Sequence, residues 1–175
     1  MNKYQYETER LIFRPTNLKD KAFILELLNT PKWLANIGDR KVYTLDAAAE
    51  YIKQKILPQQ EALGFSNYTV MRKSDLIKMG TCGIYDREGL EGVDIGFAFL
   101  PAYEGKGYAF EASSKLLELA FTEFGIQTIS AITTKTNLSS QKLLEKLGLK
   151  FLKYTFIKDD PEELMYYELS NFETQ

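Results

Sequence analysis

Residues 97–112, Phe-Ala-Phe-Leu-Pro-Ala-Tyr-Glu-Gly-Lys-Gly-Tyr-Ala-Phe-Glu-Ala, pass from a β-prone aromatic run through two glycines into a helical pattern. A chain with this segment must place a strand and a helix back to back, joined by a short glycine loop. A helix N-terminus carries free N–H groups and a partial positive charge, so it suits a phosphate or diphosphate. Gly105 and Gly107 would let the backbone approach such an anion without a Cβ in the way, and Lys106 adds a side-chain cation. The common phosphate patterns do not fit. Gly105-Lys-Gly107 does not supply GxxxxGK[ST]. Phe110 stands where a dinucleotide fingerprint needs its third glycine, and the unit comes late in the chain. On spacing alone the segment is either a phosphate cradle or a tight strand–helix turn with no ligand.

The surrounding pattern is that of one α+β domain with a mixed sheet. Residues 10–15 alternate polar with apolar and end at Pro15, which predicts a short strand. Asn17 with Asp20 three residues on predicts a helix start, and Leu18, Ala22, Leu25 and Leu28 follow at helical spacing until Pro31. Residues 32–41, holding the only tryptophan, read as a loop before a second helix that opens at Thr44 and runs towards Pro58. Residues 68–72, 77–85 and 93–100 are β-rich and separated by turn residues, which predicts an antiparallel meander. A helix over about 108–124 follows, with Gly125 as its cap, then a strand at 129–134 and a helix over 139–147 closed by Gly148. Strands at 151–157 and 164–169 flank a turn at Asp159-Asp-Pro161.

Composition removes many chemistries. The 175 residues contain no histidine and one cysteine, Cys82. Ser-His-Asp and Cys-His machinery, HExxH zinc sites and Cys/His fingers are therefore out of reach, and no metal is expected. A single cysteine forms no internal disulfide, which suits a reducing cytosol, and Cys82 is expected to be a buried strand residue. The length argues for one domain, which would bury about 70% of its unfolded surface. With 22 Lys+Arg against 24 Asp+Glu, the net charge of −2 offers no basic field for nucleic acid. No Lys/Arg run exceeds two, the polar residues 1–10 are unlike a signal peptide, and no apolar run approaches the roughly 20 residues needed to span a bilayer. The expectation is a cytoplasmic protein with neither nucleic-acid nor membrane partners.

A second constellation lies at 133–149, where Asn137 sits at a strand end and Ser140 one turn into the next helix. Alone, it reads as an Asn cap with Ser at N3 and Leu143, Leu144 and Leu147 in the core. Taken together, three segments resemble the GCN5-related N-acetyltransferases (GNAT), most closely the branch of the ribosomal-protein N-terminal acetylases. They are Thr8-Glu-Arg-Leu-Ile-Phe-Arg-Pro15, Glu104-Gly-Lys-Gly-Tyr-Ala109, and the run from Asn137 to Leu149. The resemblance covers essentially the whole chain. It implies a single-domain α+β fold with a mixed, mostly antiparallel sheet of about seven strands and about four helices, in the order β-α-α-β-β-β-α-β-α-β-β.

The resemblance further implies acetyl-CoA as donor and a primary amine as acceptor, meeting in a ternary complex. The backbone of Gly105, Lys106, Gly107, Tyr108 and Ala109 would hold the diphosphate. Phe97, Ala98, Phe99 and Leu100 would offer backbone contacts to the pantetheine arm, with Asn137 on its other side. Two positions depart from the family. Glu104 stands where Gln or Arg is usual, and Leu144 stands where a tyrosine protonates the leaving thiolate. Ser140 would take over that proton donation. Asp94, by position, is a candidate for deprotonating the amine through water, weighed against an ordinary solvent-facing strand residue. Trp33, Asn36, Asp39 and Arg40 border the acceptor side, although Trp33 is as well explained by core-edge packing. A non-catalytic acyl-CoA-binding regulatory module is the competing reading, a nucleotide-binding protein a third. The amine and the oligomeric state stay open, a homodimer included.

Overall fold

The computed structural model describes residues 5–171, so residues 1–4 of the polar N-terminal segment lie outside the described residues. Eight strands form one sheet in the order β1-β2-β3-β4-β5-β6-β8-β7. They are β1 (Tyr6–Glu7), β2 (Leu11–Pro15), β3 (Asn67–Arg72), β4 (Lys78–Tyr85), β5 (Val93–Phe99), β6 (Thr128–Thr134), β7 (Lys150–Thr155) and β8 (Leu164–Ser170). The strand beyond the predicted seven is β1, a two-residue hairpin partner of β2 too short to leave an alternating pattern. All neighbours pair antiparallel except β5 and β6.

The helices are α1 (Lys21–Leu28), α2 (Pro31–Asn36), α3 (Leu45–Tyr51), α4 (Leu57–Leu63), α5 (Tyr108–Thr122) and α6 (Leu138–Lys146). Three expectations are corrected. Pro31 does not merely stop α1. It occupies the first turn of α2 behind the Thr30 cap, where proline's missing N–H costs nothing, so half of the expected 32–41 loop is helix. Pro58 does not end the second helix either. A π-helical turn at Ile52–Ile56 joins α3 to α4 and absorbs the proline, and the rod runs on to Leu63 with Gly64 beyond it. Counting that rod once gives five helical bodies rather than four. Finally, α1 buries Phe23, Ile24, Leu27 and Leu28, while Leu18 and Ala22 face outward. The cause is a short 3₁₀ turn at Leu18–Asp20 that precedes α1 and rotates its face.

Two cores sit on opposite faces of the sheet. One packs α5 and Leu144 of α6 against Leu11, Phe13, Tyr68, Val70, Ile84, Ile95 and Ile129. The other packs α1, α3 and the π-turn over Leu100. Cys82 is fully buried in the first core, where desolvation pushes its thiol up to about 12, so it is an inert strand residue. No helix among the described residues is long and apolar enough to cross a membrane.

Candidate active site

The parallel contact between β5 and β6 is very short. Only Val93 with Ile129 and Asp94 with Ser130 pair, after which the strands part. The sheet is thus split along the second half of β5, and a cleft of about 1280 Å³ opens there. Along its walls lie Phe97, Ala98 and Phe99 from β5, residues 131–134 of β6, and Asn137, Ser140 and Leu144 of α6. Leu100, expected to continue the β5 contacts, instead turns into the second core and is bonded through its N–H to Met79 O at 2.8 Å.

At one end of this split the glycine loop delivers the chain into α5. Gly105 (φ 68°) and Gly107 (φ 80°) are both left-handed, a conformation costly for any residue with a Cβ. The first α5 backbone bond is Glu111 N–H to Gly107 O at 3.0 Å. Among the described residues, the N–H groups of residues 105–110 donate to nothing, which leaves six consecutive donors at a helix N-terminus. Arg10 fixes the loop from outside. Its Nε bonds Glu111 Oε2 at 2.6 Å, its Nη1 bonds Lys106 O at 3.0 Å, and its guanidinium lies 4.5 Å from the Tyr108 ring centre. Burial pushes the Glu111 carboxyl up, but the Thr8 hydroxyl, the Arg10 N–H and the Arg10 guanidinium together hold it below its ordinary value. Lys106 turns back to donate to Ala102 O at 2.9 Å, so its ammonium is not aimed at the six N–H groups.

Across the split, Asn137 caps α6. Its Oδ1 accepts from Ser140 N–H at 3.2 Å and from the Ser139 hydroxyl at 3.1 Å, which leaves the Nδ2 amide free to donate. The Ser140 hydroxyl has no hydrogen-bond partner among the described residues, and it lines the cleft. Leu144 is buried, an aliphatic side chain closing the cleft wall.

The far side of the cleft has a polar floor. Period-two alternation along β3, β4 and β5 turns Asn67, Thr69, Thr81, Gly83, Tyr85, Asp94, Gly96 and Ala98 to one face of the sheet. Tyr85 folds over two glycines: a Cβ on Gly83 would lie 2.4 Å from its hydroxyl, and one on Gly96 3.0 Å from its ring. Its hydroxyl donates to Asn67 Oδ1 at 2.5 Å, Asn67 Nδ2 donates to Thr16 Oγ1 at 2.8 Å, and Thr16 Oγ1 meets Thr69 Oγ1 at 2.9 Å. Asp94 is 1% exposed, so it is not the solvent-facing strand residue it was weighed against. Arg87 grips it bidentately, Nε to Oδ1 at 2.9 Å and Nη2 to Oδ2 at 3.0 Å. Burial pushes the Asp94 carboxyl up, and the guanidinium only partly opposes this.

The structure brings Trp33, Asn36, Asp39 and Arg40 to the same cleft, on and just after α2. Trp33 is half-buried, and its indole Nε1 is buried with no acceptor among the described residues. Asp39 spends its carboxylate locally, on Lys41 N–H at 2.7 Å and the Tyr43 hydroxyl. Arg40 is exposed at the rim. Sequence reasoning missed Tyr85, Arg87 and Lys32. Tyr85 and Arg87 close a strand and open a turn, and nothing in their spacing distinguishes them from surface residues. Lys32 bonds Glu104 across the cleft, a contact between residues 72 apart.

Fold and cleft first define a class, a single-sheet α+β architecture split between β5 and β6. The ribosomal-protein-S5-alanine acetyltransferase of Vibrio fischeri superposes with a TM-score of 0.77 at 18% identity, over 95% of this chain and 96% of that one. The spermidine N-acetyltransferase of Vibrio cholerae, solved with CoA and spermine, gives 0.77 at 15% identity, over 94% and 98%. Among curated relatives, the uncharacterised N-acetyltransferase YnaD of Bacillus subtilis is 26% identical over 153 residues, covering 82% of this chain and 81% of its own length. A family model for the acetyltransferase (GNAT) domain matches residues 10–150. The chain belongs to the GNAT acetyltransferases and is an acetyltransferase enzyme, which decides against the non-catalytic binding module.

Proposed function

We propose that this enzyme moves an acetyl group from acetyl-CoA to a primary amine, a protein or peptide N-terminus or a small-molecule amine, within a ternary complex. The observation that carries the reading is the split of β5 from β6 ending beside six unused N–H donors. Glycine curvature and the helix dipole make that end a diphosphate cradle, with Gly105, Lys106, Gly107, Tyr108 and Ala109 supplying backbone donors. The open edge of β5 at Phe97, Ala98 and Phe99 would hold the amide-bearing arm as a neighbouring strand, and the Asn137 amide would donate from across the cleft. The bound thioester supplies an activated acetyl group.

The chain's own residues then have three tasks. The Phe99 N–H region polarises the acyl oxygen. Ser140, its hydroxyl uncommitted, gives a proton to the departing thiolate, a task Leu144 cannot perform. Asp94 accepts the amine's proton through water while Arg87 holds the carboxylate in place, the burial that raises its pKa making it a stronger base. Trp33, Asn36, Asp39 and Arg40 form the acceptor wall over the Tyr85 floor. No covalent enzyme intermediate is required, since holding two substrates in register supplies much of the rate. We read the 175 residues as one N-acetyltransferase domain acting in the cytoplasm, with no resident metal.

A thiol-release assay with acetyl-CoA across N-terminal peptides, polyamines, amino acids and aminoglycosides tests this. Amine-dependent thiol release with an acetylated product is expected. Tight coenzyme A binding without release for any amine would reject the acceptor reading.

A further inference from the structure

Glu104 sets an electrostatic problem. Its carboxylate belongs to the residue immediately before six unused N–H donors, five of them on cleft-lining residues, at the position where an uncharged or cationic side chain would suit a diphosphate. A bare carboxylate there repels the anion that the donors attract. The structure resolves the conflict with a residue from a different element. Lys32, on the first turn of α2, places its ammonium on Glu104 Oε2, and both side chains line the cleft with Gly105 and Gly107. Of the other cations around the loop, Lys106 donates to Ala102 O, Arg10 bonds Glu111 and Lys106 O, and Lys146 lies over the Phe110 ring at 4.2 Å.

We propose that Lys32, held by Glu104, is a diphosphate-binding cation of this enzyme, delivered to the glycine loop from the acceptor-side helix α2. The proposal rests on the acetyl-CoA reading above. An ammonium has three N–H donors, and the Glu104 bond uses one of them. The others remain for phosphate oxygens, so one side chain both cancels the Glu104 charge and adds attraction. The Lys32 side chain is 60% exposed, so its replacement leaves the cores intact.

Calorimetric titration of coenzyme A and dephospho-coenzyme A into the wild type, Lys32→Met, Lys32→Arg, Glu104→Gln and the Lys32→Met/Glu104→Gln double variant tests the assignment. Lys32→Met should raise Kd about tenfold at low ionic strength, and less at high salt. Lys32→Arg should retain most of the affinity. The Lys32→Met penalty should shrink when Glu104 is already Gln, and it should be the same for dephospho-coenzyme A, which keeps the diphosphate. Unchanged Kd in Lys32→Met, with wild-type circular dichroism, overturns the proposal and leaves the donor reading intact. A penalty that vanishes with dephospho-coenzyme A moves the contact to the other phosphate and also overturns it. If the wild type itself binds no coenzyme A, the underlying donor reading falls and the proposal with it.

Discussion

At the scale of single residues, the most heavily invested side chain lies outside the cleft. Asp20 is fully buried and receives Arg14 Nη1 at 2.8 Å and Nη2 at 2.7 Å, Lys78 Nζ at 2.8 Å, Asn17 N–H at 2.9 Å and the Thr69 hydroxyl at 3.2 Å. Burial alone would push its carboxyl up, but the Arg14 and Lys78 hydrogen bonds and the Asn17 N–H outweigh it and bring it to about 2. A depressed carboxylate contributes stability above its unfolded pKa, and that stability is lost as pH falls through the folded value. Urea unfolding followed from pH 5 to pH 2 should therefore lose about 2 kcal/mol from this group alone. Asp20→Asn should flatten that dependence and cost about 2–4 kcal/mol at neutral pH, because two cations lose their partner. In the cleft, Ser140→Ala should lower kcat at least tenfold and leave coenzyme A affinity within about twofold, by steady-state kinetics beside calorimetry. Its N–H keeps the Asn137 cap in that variant, so the helix end is preserved. The cap at Asn137, the box at Asn17 and the buried Cys82 were legible in sequence because each depends on near neighbours or on residue type. Arg87 was not, since its role exists only once β5 carries Asp94 beside it.

At the scale of elements, strands announced themselves better than helix faces did. The β3, β4 and β5 runs fall within one or two residues of their predicted limits, because alternation and turn residues are local signals. Helix boundaries at Pro31 and Pro58 were misread for a common reason. Proline states only that its own N–H is absent and its φ fixed; whether a helix begins, ends or bulges there depends on what packs around it. The polar floor under the cleft is an element-scale device, with Tyr85 filling the room that Gly83 and Gly96 leave. Gly83→Ala should cost about 1–3 kcal/mol, since its Cβ would meet both the Tyr85 hydroxyl at 2.4 Å and Ser66 O at 2.8 Å. Chemical denaturation measures that loss, and kcat/KM for the amine should fall more than coenzyme A affinity does. The glycine loop makes the reverse prediction. Gly107→Val must hold a β-branched residue at φ 80° and crowd the Arg10 guanidinium 3.3 Å away, so coenzyme A affinity should fall at least tenfold by calorimetry.

At the scale of the whole molecule, the enzyme is a sheet broken once, with one core that spans both halves on one face and a second core on the other. A ligand that fills the break should bind the folded state alone. Coenzyme A at 100 times its Kd should then add about 2.7 kcal/mol, raising the melting temperature by about 5–10 °C in a chain of this size. ATP or NAD at equal concentration should do much less, because neither carries the pantetheine arm that the open β5 edge would hold. Scanning calorimetry with the three ligands side by side distinguishes these outcomes.

By itself the sequence determined the local geometry of the glycine loop and of the α6 cap. Gly105, Gly107, Asn137 and Ser140 lie within short segments whose local geometry follows from φ, helix polarity and capping, so their arrangement could be read without knowing where the rest of the chain goes. The absence of histidine likewise confined the chemistry to carboxylates, hydroxyls, amines, backbone dipoles or a cofactor before any fold was known. Only the tertiary structure decided which distant residues meet across the cleft. Lys32 meets Glu104, and Tyr85 bonds Asn67, because the fold packs α2 against the loop and sets β3 beside β4. Such long-range contacts depend on the packing of whole elements and leave no periodicity in the chain.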